Sequence, residues 1–96
     1  MEDRIQHKES EKNGMFYIED QDGIVAELNY TRQDNGIMVI DHTETEKRAR
    51  GKGLAAKLLK KSVDFARAKN LKIDPLCDFA QQEFEKHEEY RELQAE

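Results

Sequence analysis

The stretch KRARGKGLAAKLLKK, Lys47 to Lys61, decides how this chain is read. It holds seven of the 16 basic residues and no acid, in a 96-residue chain of net charge −5. Two glycines, Gly51 and Gly53, stand just ahead of a helical pattern. At about 100° per residue, Leu54, Phe65, Leu58, Ser62, Ala55, Ala66, Leu59 and Val63 fill one half of that helix. It begins near Gly51 to Leu54 and runs to about Lys69. Lys57, Lys60, Lys61, Asp64 and Arg67 fill the other half, so most of these lysines belong to a solvated face. Arg48, Arg50, Lys52 and the two glycines precede the pattern and need another reason.

Upstream, MFYIED (Met15–Asp20) and IVAELNYT (Ile24–Thr31) are short aromatic and β-branched runs, parted by a turn that ends in Gly23. In the second run Ile24, Ala26, Leu28 and Tyr30 share a face by period-2 alternation. QDNG, Gln33 to Gly36, signals a hairpin, because Asn and Gly both tolerate positive φ. IMVIDHTE, Ile37 to Glu44, is then the third strand of a meander. Downstream, Asn70 ends the helix and LKIDPL, Leu71 to Leu76, is a short strand. Its Pro75 lacks a donor and belongs at an edge, an end or a bulge. Phe79 to about Leu93 reads as a second helix, with Asp78 as N-cap and Phe79, Ala80, Phe84, His87 and Tyr90 on one arc. The order is βββαβα. A helix joining two strands implies a right-handed crossover and a parallel pair. The fold class is α/β in the mixed, α+β sense: a thin, mostly antiparallel sheet with helices mainly on one side.

A chain of 96 residues makes one domain, near the small end of what a single core stabilises. We place it at residues 14–93. Residues 1–13 offer one isolated Ile5 and no repeating apolar pattern, so we expect them to be disordered. Outside Lys47–Lys61, nine basic residues face 21 acidic ones. That balance argues against a nucleic-acid surface and suits a small anionic ligand on the local patch. A single cysteine, Cys77, excludes an internal disulfide and fits a reducing compartment, the cytoplasm. No apolar run approaches the ~20 residues that span a bilayer, and no signal-peptide core is present, so no membrane association is expected. His7, His42, His87 and Cys77 lack ligand spacing, so no metal is expected. Nothing specifies an oligomer beyond a monomer or weak homodimer.

Between a strand and a helix sits RARGKGLA, Arg48 to Ala55. A helix start leaves about four N–H groups without intrahelical partners. Aligned peptide dipoles place roughly half a positive charge there. Glycines let the backbone approach a phosphate, and flanking cations add charge-assisted bonds. Arg48, Arg50 and Lys52, around Gly51, Gly53 and the helix start at Leu54, would form a diphosphate cradle. The plain alternative is a loop with a glycine N-cap and a charged rim. No Lys-Ser/Thr ending makes this a Walker loop, and a third glycine is missing for the dinucleotide fingerprint.

RARGKG, Arg48 to Gly53, fits the pattern Q/R-x-x-G-x-G/A and resembles the signature of the GNAT superfamily of N-acetyltransferases. There the signature opens a helix, and its backbone amides bind the pyrophosphate of acetyl-CoA. From Ile40 to Tyr90 the chain further resembles the small single-domain GNAT-like proteins of the YjdJ type. Those carry His-Thr-Glu before the loop, Pro-Leu-Cys-Pro-Phe after it and Lys-His-Pro-Glu-Tyr near the end. Here His42-Thr43-Glu44 matches, while Asp78 and Glu88 replace the two prolines that follow the Cys and the His. The resemblance implies a minimal GNAT-like fold with one splayed parallel pair, acetyl-CoA as co-substrate and an amine acceptor. It implies a pantetheine arm held between the strand ending near His42 and the strand ending near Leu76. Backbone groups around Val39, Ile40 and Asp41 would meet the arm and the thioester carbonyl. Broader members carry an Asn at the start of the last helix and a Tyr that protonates the leaving thiolate. Those positions fall here on Cys77 and Phe84.

Acyl transfer to an amine requires a held thioester, a polarised carbonyl and a deprotonated amine. His42, whose imidazole can take up a proton near neutral pH, suits the base role. By alternation it shares a face with Met38 and Ile40, where it would otherwise be a half-buried histidine bonded to a carbonyl. Glu44 would accept the proton instead, or attract a cationic amine. Cys77 stands where the thiol end of the coenzyme would arrive, as acyl carrier, as acid, or as a small buried apolar residue. His87 and Tyr90 read as packing residues. Three functions stay open: an acetyl-CoA-dependent N-acyltransferase with an unidentified amine acceptor, a CoA-binding module with little turnover, and an interaction domain using the basic helix. The acidic remainder weighs against the third.

Overall fold

The computed structural model describes residues 4–95. Five strands, β1 (Gln6–Glu9), β2 (Asn13–Asp20), β3 (Gly23–Arg32), β4 (Ile37–Thr45) and β5 (Lys72–Pro75), form one sheet in sequence order. A short 3-10 turn, Lys47–Ala49, leads from β4 into α1 (Leu54–Ala68); α2 (Asp78–Lys86) and α3 (Glu88–Arg91) follow β5. β1 to β4 pair antiparallel, and β4 pairs with β5 in parallel. The mixed α+β fold is as the sequence implies, with one strand more at the front and the second helix divided.

The added strand corrects the expectation of disorder over residues 1–13; residues 1–3 of that stretch lie outside the described ones. QHKE has no hydrophobic alternation, and the anchor is His7. Its ring stacks on Phe16 with centroids 4.0 Å apart, meets Phe65 edge-on at 4.9 Å, and its Nε2 lies 2.6 Å from the Tyr30 hydroxyl. Gly14 lies opposite Tyr30, and a Cβ there would overlap the tyrosine ring. The glycine is what lets Tyr30 lie flat across β2 and be fully buried.

Gln33–Gly36 closes the β3–β4 hairpin, with the Gln33 amide donating to the Ile37 carbonyl at 2.8 Å and Gly36 at φ +82°. Register carries His7, Phe16, Leu28 and Thr43, and beside them Gly14, Tyr30, Ile40 and Pro75, onto one face of the sheet. α1 lies across that face and buries Leu54, Leu58, Leu59, Ser62, Val63 and Ala66. Ser62 donates to the Leu59 carbonyl at 2.7 Å, so its buried hydroxyl is satisfied.

α1 stops where the sequence says. Asn70 takes φ +58°, the Leu71 amide reaches back to the Ala66 carbonyl and the Asn70 amide to that of Arg67. This pair of bonds is a Schellman ending. Two details differ at the second helix. Cys77, not Asp78, occupies the N-cap of α2, and Asp78 stands in its first turn. The helix breaks at His87, which is extended at φ −120° and ψ 103°. The carbonyls of Phe84 and Glu85 freed by the break accept from the Arg91 guanidinium at 2.9 and 2.7 Å. After α3 the chain runs along β5, the Ile73 amide donating to Leu93 and the Ala95 amide to Ile73, which covers that edge.

Candidate active site

The turn before α1 is held at both ends and open in the middle. Upstream, the Ala49 and Arg50 amides close onto the Glu46 and Lys47 carbonyls. Downstream, the Lys57 amide donates to Gly53. The six amides between, Gly51 to Ala56, meet no protein acceptor among the described residues. Gly51 and Gly53 sit at φ +85° and +72°, in the left-handed region that favours glycine. Gly53 is the N-cap of α1 and has no side chain to fill its own helix end. A cleft of about 200 Å³ adjoins this turn, lined by Thr45, Arg50, Gly51, Gly53, Ala55 and Phe79 among others. It joins the end of β4, the glycine turn and the first turn of α2.

The cations around the turn have separate tasks. Arg50 Nε donates to the Thr45 carbonyl at 3.2 Å, which fixes the arm while the guanidinium stays exposed. Lys52 is exposed and forms no ion pair among the described residues. Arg48, expected on phosphate, is instead forked onto Asp20 at the end of β2, at 2.7 and 3.2 Å. That guanidinium, with the Asp22 amide, holds the Asp20 carboxyl down at about 2, and the same bond raises Arg48. The pair links residues 28 positions apart, so no local pattern announces it.

β4 and β5 part company after Ile40. Their pairing ends at Ile40↔Pro75, and the Leu76 and Cys77 amides both donate to the Ile40 carbonyl, at 3.0 and 3.2 Å. Asp41 to Thr45 continue on β4 with no β5 partner. Val39 and Ile40 are thus engaged in the ladder, and the open stretch begins at Asp41, later than the span Val39–Asp41 expected for contacts with the arm. A bulge marks the same point: Asn29 pairs with His42 and Tyr30 with Ile40, leaving Asp41 as the extra residue. Its carboxylate accepts from the Thr31 hydroxyl at 3.0 Å. The bulge also turns His42. The ring lies with Asn29 on the face away from α1, not with Met38 and Ile40, because one inserted residue reverses the alternation.

His42 is 57% exposed, and its Nε2 is 3.7 Å from Glu44 Oε1. Cys77 is half-buried, packed against the core, with its amide on the Ile40 carbonyl two residues before His42. Phe84 is buried and 5.6 Å from the Tyr90 ring. Burial, with Glu83 next in weight, raises the Tyr90 phenol. His87 lies between Glu83 at 3.7 Å and Glu89 at 3.2 Å, with its ring 4.5 Å from that of Tyr90.

Residues 15–93 match the sequence model of the GCN5-related N-acetyl-transferases. This chain belongs to the GCN5-related N-acetyltransferase family. A GCN5-like protein from Staphylococcus aureus, described as an N-acetyltransferase and solved by NMR in solution, is 37% identical over 94% of this chain and 87% of its own, with a TM-score of 0.72. A GNAT-family acetyltransferase from S. aureus Mu50 is 18% identical over 77% of this chain and 51% of its own, at TM-score 0.61. The ribosomal-protein-alanine N-acetyltransferase of Brucella melitensis biovar Abortus 2308 is 14% identical over 80% and 62%, at TM-score 0.60. The latter two are alike in fold. No curated protein sequence matches.

As a family member this chain is an N-acetyltransferase of GNAT type and of small size. Three features of its site had no signal in the sequence. Phe79 lines the cleft beside the glycine turn, although its spacing marks it only as a helix-face residue. Asp20 holds Arg48 from the far hairpin. Gln81 Nε2 donates to the Leu76 carbonyl at 3.1 Å and so ties the end of β5 to α2. Among the described residues no group of three or more His, Cys, Asp or Glu side chains is gathered for a metal, and no helix is long and apolar enough to cross a membrane.

Proposed function

We propose that this chain transfers the acetyl group of acetyl-CoA to an amine, and the observation that carries this is the run of unengaged amides from Gly51 to Ala56 beside the parted strands. Backbone groups of Gly51, Lys52, Gly53 and Leu54 would hold the diphosphate, with Arg50 and Lys52 supplying charge. The pantetheine arm would run in the opening that begins at Asp41, and its thioester would arrive between Cys77 and His42. The amine nitrogen attacks the carbonyl carbon and the carbon–sulfur bond breaks. His42 takes the proton of the nitrogen, and Glu44 at 3.7 Å stabilises the imidazolium that results. Phe84 has no proton to give the leaving thiolate, so the Cys77 thiol or water serves. Cys77, a free thiol, suits a reducing compartment such as the cytoplasm.

A second reading, a CoA-binding module with little turnover, draws on Phe84 and on the exposure of His42 and Glu44, 57% and 60%. Both leave the chemistry short of a shielded acid and base. Acetyl-CoA offered with a panel of polyamines, amino acids and peptide amines, followed by release of free thiol, separates the two. Thiol release that depends on the amine is expected. Coenzyme binding without release for any amine would move the assignment to the second reading.

A further inference from the structure

Arg48 is part of the loop motif, yet its guanidinium is spent on Asp20. The fork is two-fold, 2.7 and 3.2 Å, and Asp20 is itself fixed by the Asp22 amide at 2.8 Å within its own turn. Two further ties reach the same segment: the Glu46 amide donates to Val25 at 2.7 Å, and Ala49 is buried in the core. Beyond Arg50 the ties stop. Gly51, Lys52 and Gly53 are exposed, and the two glycines carry no side chain that could fix them. Glycine loses more conformational freedom on ordering than any other residue. A ligand that must order this turn alone would bind weakly; fixing one end beforehand lowers that cost.

We infer that Asp20 is a positioning residue for coenzyme binding: through Arg48 it fastens the 3-10 turn to the β2–β3 hairpin and holds the amides of Gly51 to Leu54 in line for a diphosphate. The inference rests on the reading of that turn as the acetyl-CoA site. Its rival is that Arg48 leaves Asp20 and grips phosphate itself. The two predict opposite signs. If Asp20 merely competes for Arg48, removing its charge frees a cation and tightens coenzyme binding. If Asp20 positions the turn, removing it loosens the turn and weakens binding.

The test uses the full chain and the variants Asp20→Asn, Asp20→Ala, Asp20→Glu, Arg48→Ala and the double alanine variant. CoA affinity is measured by calorimetry, and the order of Gly51 to Gly53 by backbone ¹⁵N heteronuclear NOEs without ligand. We expect Asp20→Asn and Asp20→Ala to weaken CoA binding roughly three- to tenfold and to lower the NOEs at Gly51 to Gly53. Asp20→Glu should recover part of both, and the double variant should be no worse than the weaker single, as for two members of one contact. Unchanged or tighter CoA binding by Asp20→Asn, or unchanged NOEs, overturns the inference. A wild-type chain that fails to bind CoA would refute the coenzyme reading instead, and the NOEs would still decide whether Asp20 orders the turn.

Discussion

From Met38 to Ile40, β4 is paired on both sides, to β3 and to β5, and the side chains Met38, Val39 and Ile40 are buried. From His42 to Thr45 the same strand is paired on one side only, and His42 and Glu44 are more than half exposed. The change occurs at one residue, the bulged Asp41, where the Ile40 carbonyl takes both amides from the end of β5. The difference teaches where stability and reactivity reside in a small domain. The closed half carries the buried contacts of β4 with the rest of the core, so substitutions there cost stability. The open half lacks a β5 partner and leaves the His42 and Glu44 side chains exposed, which is where we propose that the coenzyme arm lies.

The comparison is broken most forcefully from the closed side. Ile40 is fully buried, so Ile40→Ala should destabilise the chain by about 2–5 kcal/mol, read by denaturant unfolding. A loss below about 1 kcal/mol would mean that the closed half is not what holds β4. On the open side, Gly53→Ala puts a Cβ at φ +72°, a backbone conformation strained for any L side chain, within the turn proposed to hold the diphosphate. CoA binding should fall roughly tenfold or more, with Tm lowered by only a few degrees. Equal loss of fold would erase the distinction between the two halves.

A smaller effect is expected at Cys77, which belongs partly to each half: packed against the core, yet at the mouth of the opening. Cys77→Ala should lower amine-dependent thiol release roughly tenfold while leaving CoA affinity within about twofold. Full turnover would make the thiol a packing group only.

The smallest effect is at the other end of the sheet. Burial lowers the pKa of His7, against an opposing pull from Glu9 and with a minor push from Lys61. The fold thus favours the neutral ring. Its contribution is complete above about pH 6.5 and is lost as pH falls through the lowered value. Between pH 7 and pH 5 Tm should drop by a few degrees at most, and His7→Phe should flatten that slope. The neighbouring Tyr30 phenol, pushed up to about 12 by burial and Glu9, stays protonated throughout this range.

What could be read in the sequence was what local pattern encodes. The Gln33–Gly36 hairpin, the apolar half of α1, its Asn70 stop and the glycine turn each depend on neighbours in the chain. What could not be read depends on partners far along it. β1 carries no hydrophobic alternation, because its inward group is a histidine whose fit to Phe16 and Tyr30 is purely tertiary. The Asp41 bulge arises from the register of β3 against β4, and by reversing the alternation it moves His42 to the opposite face. Arg48 reads as a phosphate cation until Asp20 is brought beside it by the β2–β3 hairpin. The break at His87 becomes tolerable only because Arg91 folds back onto the carbonyls it exposes.

The most direct measurement is a titration of ¹⁵N-labelled chain with CoA, following each backbone amide. Large shifts at Gly51 to Ala56, continuing along Asp41 to Thr43 and Cys77 with Ile37 to Ile40 little changed, are the predicted result. Saturating CoA that leaves the Gly51 to Ala56 amides unmoved would contradict a diphosphate held at the start of α1.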